Sequence, residues 1–394
     1  MLLPAITLFV VSLGYGVIVP VLPDLVGVDA SGVAALSLVY AIYSAAKIGA
    51  QVPGGVWVDR RGPDAVLRVA LPAFSLSLAL FMMPSLAPGR VGGAAYFGVA
   101  RFVEGAATGL VYPAVVALAL RGAPPDRMGK RLGAVIGVGS SGLLVGPVIG
   151  AALRARGAWV PIAVAFVASL LVTAAALASR HGPPRVSTDP GETPRTLRGE
   201  LEALRGLAAS AAFLAIMLPV AFNKLTFSAF QGLVPLVATD VLHVGDRGVA
   251  ALFVTIGVVF GVAQPLAGAL ADRFSPRSVV LATLPLQLAA LAALAFVAGP
   301  WAFGGVFGAH ILGQSVVFTA TTKHAARAHG TEKTYGGVFG LMGTLTDLAT
   351  IVGPVVFLNV YAAAGARVFV VMAAVGVACA LVYAARGRAP SVTA

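Results

Sequence analysis

Long apolar stretches alternate with short polar ones along the whole chain. The apolar runs fall near 5–26, 33–57, 66–86, 91–120, 129–153, 158–178, 209–239, 248–271, 277–298, 300–324, 334–361 and 366–385. A helix that crosses a bilayer takes roughly 20 apolar residues, so the pattern predicts an all-α polytopic membrane protein with twelve transmembrane helices. One longer polar stretch, 180–207, divides six runs from six. It holds Pro183-Pro184, Asp189-Pro190-Gly191-Glu192 and Arg198-Gly199-Glu200-Leu201-Glu202. The expected domains are a six-helix bundle over 1–179, a linker over 180–207 and a second six-helix bundle over 208–394. The later part of the linker reads either as an amphipathic helix on the membrane surface or as a solvated connector. The first run begins at Pro4 with no basic residues before it, which reads as a retained helix rather than a cleaved signal.

Composition narrows the class. Of 394 residues, 59% are hydrophobic and 11% charged, with a mean hydropathy of +0.94, values that exclude an ordinary soluble domain. The formal charge of +12 is no nucleic-acid footprint, because the bases sit in short loops between apolar runs. Cys379 is the sole cysteine, so neither an intrachain disulfide nor a cysteine metal cluster is available. No Walker-type phosphate loop occurs, which argues against ATP as driver; no enzyme activity and no cofactor are expected. The bases are unevenly placed. Arg60, Arg61, Arg121, Arg127, Lys130 and Arg131 are among many on one side, against Arg90, Arg154, Arg156, Arg247 and Arg367 on the other. The positive-inside rule then puts the first side, and both termini, in the cytoplasm.

Two loops carry a repeated pattern. The first is Gly55-Val56-Trp57-Val58-Asp59-Arg60-Arg61-Gly62 and the second is Gly268-Ala269-Leu270-Ala271-Asp272-Arg273-Phe274. They lie about half a chain apart, and each joins two apolar runs, as expected of a duplicated membrane protein. An aspartate there can cap or pair near a helix end, while Arg60, Arg61 and Arg273 grip neighbouring helix ends from the water side. The pattern resembles the loop signature of the major facilitator superfamily. Within the fifth run, Gly142-Leu143-Leu144-Val145-Gly146-Pro147-Val148-Ile149-Gly150-Ala151 resembles the antiporter signature of that family's drug:proton exporters, with alanine in place of the last glycine. The alternative is a small-residue packing face without directional meaning. Gly14-Tyr15-Gly16-Val17-Ile18-Val19-Pro20 is similar to the start of the same branch. Arg101-Phe102-Val103-Glu104-Gly105 is similar to the family's R-x-x-Q-G signature, with glutamate for glutamine.

Charges inside apolar runs are costly unless they face a cavity or a partner. Glu104 and Asp347 are the acids that fall well inside the runs, away from their ends; Lys47, Arg101 and Lys224 are the bases there. Arg101 and Glu104 share a helix face at i,i+3. Either they form a local pair that solvates both charges, or Arg101 tunes a Glu104 that takes and releases a proton. The resemblance associates Arg101 with proton coupling. Lys47 and Asp347 each lie about 18 Å from the cytoplasmic ends of their helices at the α-helical rise. In the superfold those two helices meet, so the resemblance implies a bridge between the halves, either static or alternating.

The seventh run offers Asn223, Lys224, Phe227, Phe230 and Gln231, and the tenth offers His310 and Gln314. These groups either line a substrate pocket, with Lys47, or make hydrogen bonds between helices. The resemblance as a whole implies a monomeric secondary transporter in a bacterial inner membrane. Its partners are a small-molecule substrate, protons and membrane lipids. Its activity is proton-coupled export of a small amphipathic or drug-like compound by alternating access. In that reading Glu104, Asp347 and Arg101 couple protons. Gly55, Asp59, Arg60, Arg61, Gly268, Asp272 and Arg273 gate, and Gly142, Gly146, Pro147 and Gly150 form the antiporter element. The alternatives are an uptake carrier or flippase for a lipid or anionic metabolite, and a membrane sensor or scaffold that transports nothing.

Overall fold

The computed structural model describes residues 2–26, 32–86, 93–124, 126–178, 197–244, 246–331 and 334–387. They form thirteen α-helices and two short 3-10 turns. The helices are α1 Leu2–Val26, α2 Gly32–Arg61, α3 Pro63–Leu86, α4 Gly93–Leu120, α5 Met128–Leu153, α6 Trp159–Ala178, α7 Leu197–Ala209, α8 Ala211–Asp240, α9 Asp246–Arg273, α10 Pro276–Ala293, α11 Pro300–His329, α12 Tyr335–Ala364 and α13 Val368–Arg386. No strand occurs among the described residues. Twelve of the helices have 18 to 30 residues, the length a bilayer demands. Nine stretches among the described residues are long and apolar enough to cross a membrane; the last runs through both α12 and α13. The chain is an integral membrane protein. Its outward-facing side chains include Leu171, Val148, Leu266, Leu286 and Trp301, which an aqueous surface would not favour in such number.

Local sequence sets the helix limits. Gly62, at φ 82°, donates its N–H to the Val58 carbonyl at 2.8 Å and stops α2, a conformation that suits glycine. Ser275 caps α10 by accepting the Ser278 N–H at 3.1 Å, with Pro276 in the first turn, where a missing N–H costs nothing. Prolines 53, 113, 147 and 354 lie inside α2, α4, α5 and α12, as membrane helices tolerate. The linker differs in kind. Of the expected connector 180–207, residues 180–196 lie outside the described residues; the rest begins α7, a 13-residue amphipathic helix with an Arg198–Glu202 pair at 2.8 Å on its exposed face.

Two compact units emerge. One comprises Met1–Arg121, Val138–Leu204 and Glu332–Thr344; the other comprises Gly122–Gly137, Arg205–Thr331 and Leu345–Ala394. In the first, α2 packs along α4, α3 lies against α4 and α6, and α1 against α6 and α4. In the second, α10 packs on α11 and α13, α11 on α9 and α8, and α13 on α8. Both α5 and α12 change unit along their length.

Candidate functional site

The two Asp-Arg loops build the same device twice. In the first unit, Asp59 near the end of α2 accepts the N–H groups of Gly336 (Oδ1, 2.7 Å) and Gly337 (Oδ2, 2.6 Å) in the first turn of α12. In the second, Asp272 near the end of α9 accepts those of Gly129 (Oδ1, 2.8 Å) and Lys130 (Oδ2, 2.7 Å) in the first turn of α5. These N–H groups are the ones a helix leaves without an internal partner, and they lie at the positive end of its dipole. A carboxylate that bridges two of them makes charge-assisted bonds, about twice as strong as neutral ones. Glycine makes the approach possible. A Cβ on Gly55 would strike the Gly336 carbonyl and one on Gly336 the Gly55 carbonyl; Gly268 and Gly129 repeat the relation.

Each device has a further charged partner. Arg60 donates through Nε to Glu200 Oε2 at 2.6 Å, which ties α7 to the end of α2. Leu204, one turn on, lies beside Gly337. Arg61 and Arg273 are exposed, and the Arg273 guanidinium lies 5.7 Å from the Phe274 ring centroid. Lys323 of α11 is fully buried and pairs with Asp272 Oδ1, and its Nζ also donates to the Ala271 carbonyl at 3.0 Å. Lys323 stands at the very end of the tenth apolar run, where a base reads as a loop charge, whereas α11 continues to His329 and buries it.

Arg101 and Glu104 lie on α4 with no exposed surface. Arg101 donates through Nη1 to Glu104 Oε2 at 2.7 Å. Arg101 Nε and Nη2 and Glu104 Oε1 have no hydrogen-bond partner among the described residues. A bidentate fork would satisfy more of these atoms; a single bond leaves the pair with buried capacity unused. Four rings surround the guanidinium, those of Tyr15, Tyr40, Tyr43 and Phe81, at 5.2 to 5.5 Å to their centroids. The sequence reading overlooked these rings. Their one signal is that Tyr40 and Tyr43 share a helical face at i,i+3.

The polar candidates of the second unit form a network. Gln287 Nε2 donates to Asn223 Oδ1 at 2.8 Å, and Asn223 Nδ2 to the Gln314 carbonyl at 3.1 Å. Gln314 Nε2 donates to the Asn223 carbonyl at 2.9 Å and to Thr226 Oγ1 at 3.3 Å. His310 Nδ1 lies 3.3 Å from the Gln287 carbonyl, and the His310 ring packs beside Phe230. Asn223, Phe230, His310 and Gln314 are all buried, so they tie α8, α10 and α11 together. Phe227 is half-buried near Phe260, the Lys224 Nζ lies 5.4 Å from the Phe318 ring centroid, and Gln231 is exposed. Lys47 on α2 and Asp347 on α12 are half-buried and belong to different units. Along α5, Gly142 and Gly146 are buried against the α1 backbone at Phe9 and Leu13, Pro147 lies beside Gly16, and Gly150 is buried. No group of three or more metal-ligating side chains occurs among the described residues.

An all-helical membrane protein with charges buried in its spans and the same loop device built twice is a membrane carrier in form. The model of the Major Facilitator Superfamily matches residues 5–330 and 220–393, and the chain belongs to that family of transporters. The quinolone resistance protein NorA of Staphylococcus aureus is 22% identical over 357 residues, which cover 89% of this chain and 86% of NorA. Among solved structures, the Escherichia coli fucose:proton symporter FucP superposes with a TM-score of 0.77 at 16% identity, covering 98% of both chains. The human organic anion transporter TETRAN gives 0.78 at 18% identity, covering 97% of this chain and 98% of that one. These likenesses carry the fold. The NorA match carries a similarity to a drug-resistance protein.

Proposed function

We propose that this transporter exports a small amphipathic compound in exchange for protons, by alternating access, as a monomer in a bacterial inner membrane with both termini in the cytoplasm. The observation that carries the reading is the Arg101–Glu104 pair, buried without exposure in α4. A static pair is replaceable by apolar side chains at little cost to stability, and often with a gain. Its presence in an apolar span, with unused capacity on both partners, fits a group that exchanges a proton. Glu104 takes the proton, Arg101 tunes it, and Asp347 is a second coupling acid. Similarity to a quinolone resistance protein supports export of a drug-like substrate, and the α5 run from Gly142 to Gly150 supports antiport. The Asp59 and Asp272 clamps act as cytoplasmic gates, with Gly55, Gly268, Arg60, Arg61 and Arg273 shaping and flanking them. Lys47, Lys224, Phe227 and Gln231 bind substrate together with the network of Asn223, Phe230, His310 and Gln314.

A second reading is uptake, or transport of an anion. The excess of Arg101, Lys47 and Lys224 over two intramembrane acids favours an anion. Substrate-dependent proton flux in proteoliposomes distinguishes the two, since antiport and symport move protons in opposite directions relative to substrate. Glu104→Gln is expected to abolish gradient-driven accumulation while sparing substrate binding and exchange. A Glu104→Gln protein that still concentrates substrate against its gradient refutes the role of Glu104.

A further inference from the structure

Arg101 is held by more than its carboxylate. Its guanidinium carbon lies 5.5 Å from the Tyr15 ring centroid, 5.2 Å from Tyr40, 5.4 Å from Tyr43 and 5.5 Å from Phe81. The rings come from three helices, α1, α2 and α3, and converge on a side chain of the fourth. Two of them brace each other, Tyr15 and Tyr43 with ring centroids 4.8 Å apart, and the Tyr40 hydroxyl donates to the Val19 carbonyl of α1 at 3.3 Å. Phe81 is fully buried and Tyr43 nearly so. A cation over an aromatic face is attracted by the ring quadrupole, and more strongly where water is excluded.

A difficulty that any proton exchange at Glu104 must meet gives these rings a purpose. When Glu104 is ionised, Arg101 has a counter-ion. When Glu104 is neutral, the guanidinium is left as an uncompensated charge inside an apolar span, a state that is very costly without other partners. Arginine does not escape by losing its proton. The charge needs a second host that does not itself ionise in the working range, and aromatic faces meet that condition.

We propose that Tyr15, Tyr40, Tyr43 and Phe81 form a cage that carries the Arg101 charge while Glu104 is neutral, which makes them positioning residues for proton exchange. The proposal rests on Glu104 as the coupling group. The groups that face the pair are Tyr15 from α1, Tyr40 and Tyr43 from α2, with Lys47 one helical turn beyond, and Phe81 from α3. On α4 itself, Thr108 donates to the Glu104 carbonyl at 2.8 Å. The tyrosines ionise far above neutral pH in their ordinary state, so the rings stay neutral hosts in the working range.

The direction of the effect follows. With Glu104 ionised, the guanidinium is shared between carboxylate and rings. With Glu104 neutral, it leans on the rings alone, so a missing ring raises the energy of the protonated pair more than that of the ionised pair. Glu104 then takes its proton less readily, and transport requires a lower pH.

The test is the pH profile of proton-coupled transport in proteoliposomes, using a fluorescent drug-like cation and a fluorescent anion as probes. Tyr43→Leu and Phe81→Leu are expected to move the pH of half-maximal transport downwards by about half a unit or more. Tyr43→Phe, which keeps the ring, is expected to retain the wild-type midpoint. If Tyr43→Leu fails to fold, the half-buried Tyr40 supplies the same comparison through Tyr40→Leu and Tyr40→Phe. An unshifted or raised midpoint in the folded leucine variants overturns the proposal, as does a phenylalanine variant that shifts as far as leucine. Glu104→Gln separates the two levels. If it keeps the wild-type pH dependence, the coupling role of Glu104 fails; if it loses that dependence while the leucine variants stay unshifted, only the cage fails.

Discussion

Replacing Asp272 with asparagine isolates one electrostatic element of the fold. In the native protein Asp272 neutralises the fully buried Lys323 and accepts two N–H groups at the start of α5, while remaining 11% exposed itself. Asparagine keeps the size and one acceptor oxygen but loses the charge. Lys323 then keeps neutral acceptors, the amide oxygen and the Ala271 carbonyl, but loses its counter-charge. Stranding one partner of a buried pair costs about 3–5 kcal/mol, whereas replacing both partners by apolar groups is often neutral. The helix-terminal interaction adds about 1 kcal/mol. Water reaches the aspartate, which screens the pair, so the lower end, about 3 kcal/mol, is the better expectation for Asp272→Asn. The double variant Asp272→Asn with Lys323→Met is expected to recover most of that loss. Lys323→Met alone costs less than Asp272→Asn, because the aspartate keeps its two N–H donors and its access to water. Thermal unfolding of the purified protein in detergent, run as a double-mutant cycle, reads all four states. Strict additivity refutes the argument, because it means the lysine and the aspartate do not depend on one another. A larger loss from Lys323→Met than from Asp272→Asn also refutes it.

Other substitutions test separate parts of the structure. Asp59→Asn is expected to reduce transport with near-normal expression, and turnover with unchanged cytoplasmic accessibility to a cysteine probe counts against a gating role. Gly336→Val places a branched side chain where a Cβ already meets the Gly55 carbonyl, and is expected to cost at least the 1–3 kcal/mol typical of overpacking in thermal stability; an unchanged melting temperature contradicts the close approach. Asn223→Leu strands the Gln287 amide and removes the side-chain donor to the Gln314 backbone carbonyl in the α8–α10–α11 network, and is expected to lower stability by about 2 kcal/mol, whereas a lost substrate affinity at full stability assigns Asn223 to substrate instead. Lys47→Ala and Asp347→Ala are each expected to lower folding yield more than their double variant does, and additive losses indicate that the two side chains do not pair.

Much of the fold was legible because a bilayer imposes a coarse rule. Each crossing needs a long apolar run, and each unpaired charge needs a reason. The all-helical membrane class and the repeated Asp-Arg loops therefore stand out in a single sequence. Partnerships do not follow from that rule. Lys323 looked like one more base near a cytoplasmic loop, yet the extra length of α11 buries it against Asp272. Glu200 lies in a stretch that reads either as a surface helix or as a solvated connector, and neither reading pairs it with Arg60, where α7 places it. Asn223, Gln314 and His310 drew attention as polar groups in apolar runs, a signal shared by substrate ligands and by bonds between helices. The packed helices place them in a hydrogen-bonded network with Gln287, which no periodicity could have paired with Asn223.

The duplication explains why glycine accompanies each aspartate. For Asp59 to reach two N–H groups of α12, the backbones of α2 and α12 must come within a distance that excludes side chains between them. Gly55 lies one turn before Asp59 on α2, and Gly336 is itself one of the two donors. Gly268 stands in the same relation to Asp272, and Gly129 is likewise a donor. The charge contact and the backbone contact are thus one requirement. An aspartate without its glycine cannot reach the helix end, and a glycine without its aspartate leaves a close approach with no charge-assisted bonds to hold it. Each copy also has a charged side-chain link beside it. Lys323 is buried behind Asp272, whereas the link that flanks Asp59 runs from Arg60 to Glu200 on α7 and is open to water. Salt screens an exposed pair more than a buried one. Raised ionic strength should therefore weaken the Arg60–Glu200 link while leaving the Lys323–Asp272 pair nearly intact, so the two clamps, alike in backbone geometry, respond differently to the same solution.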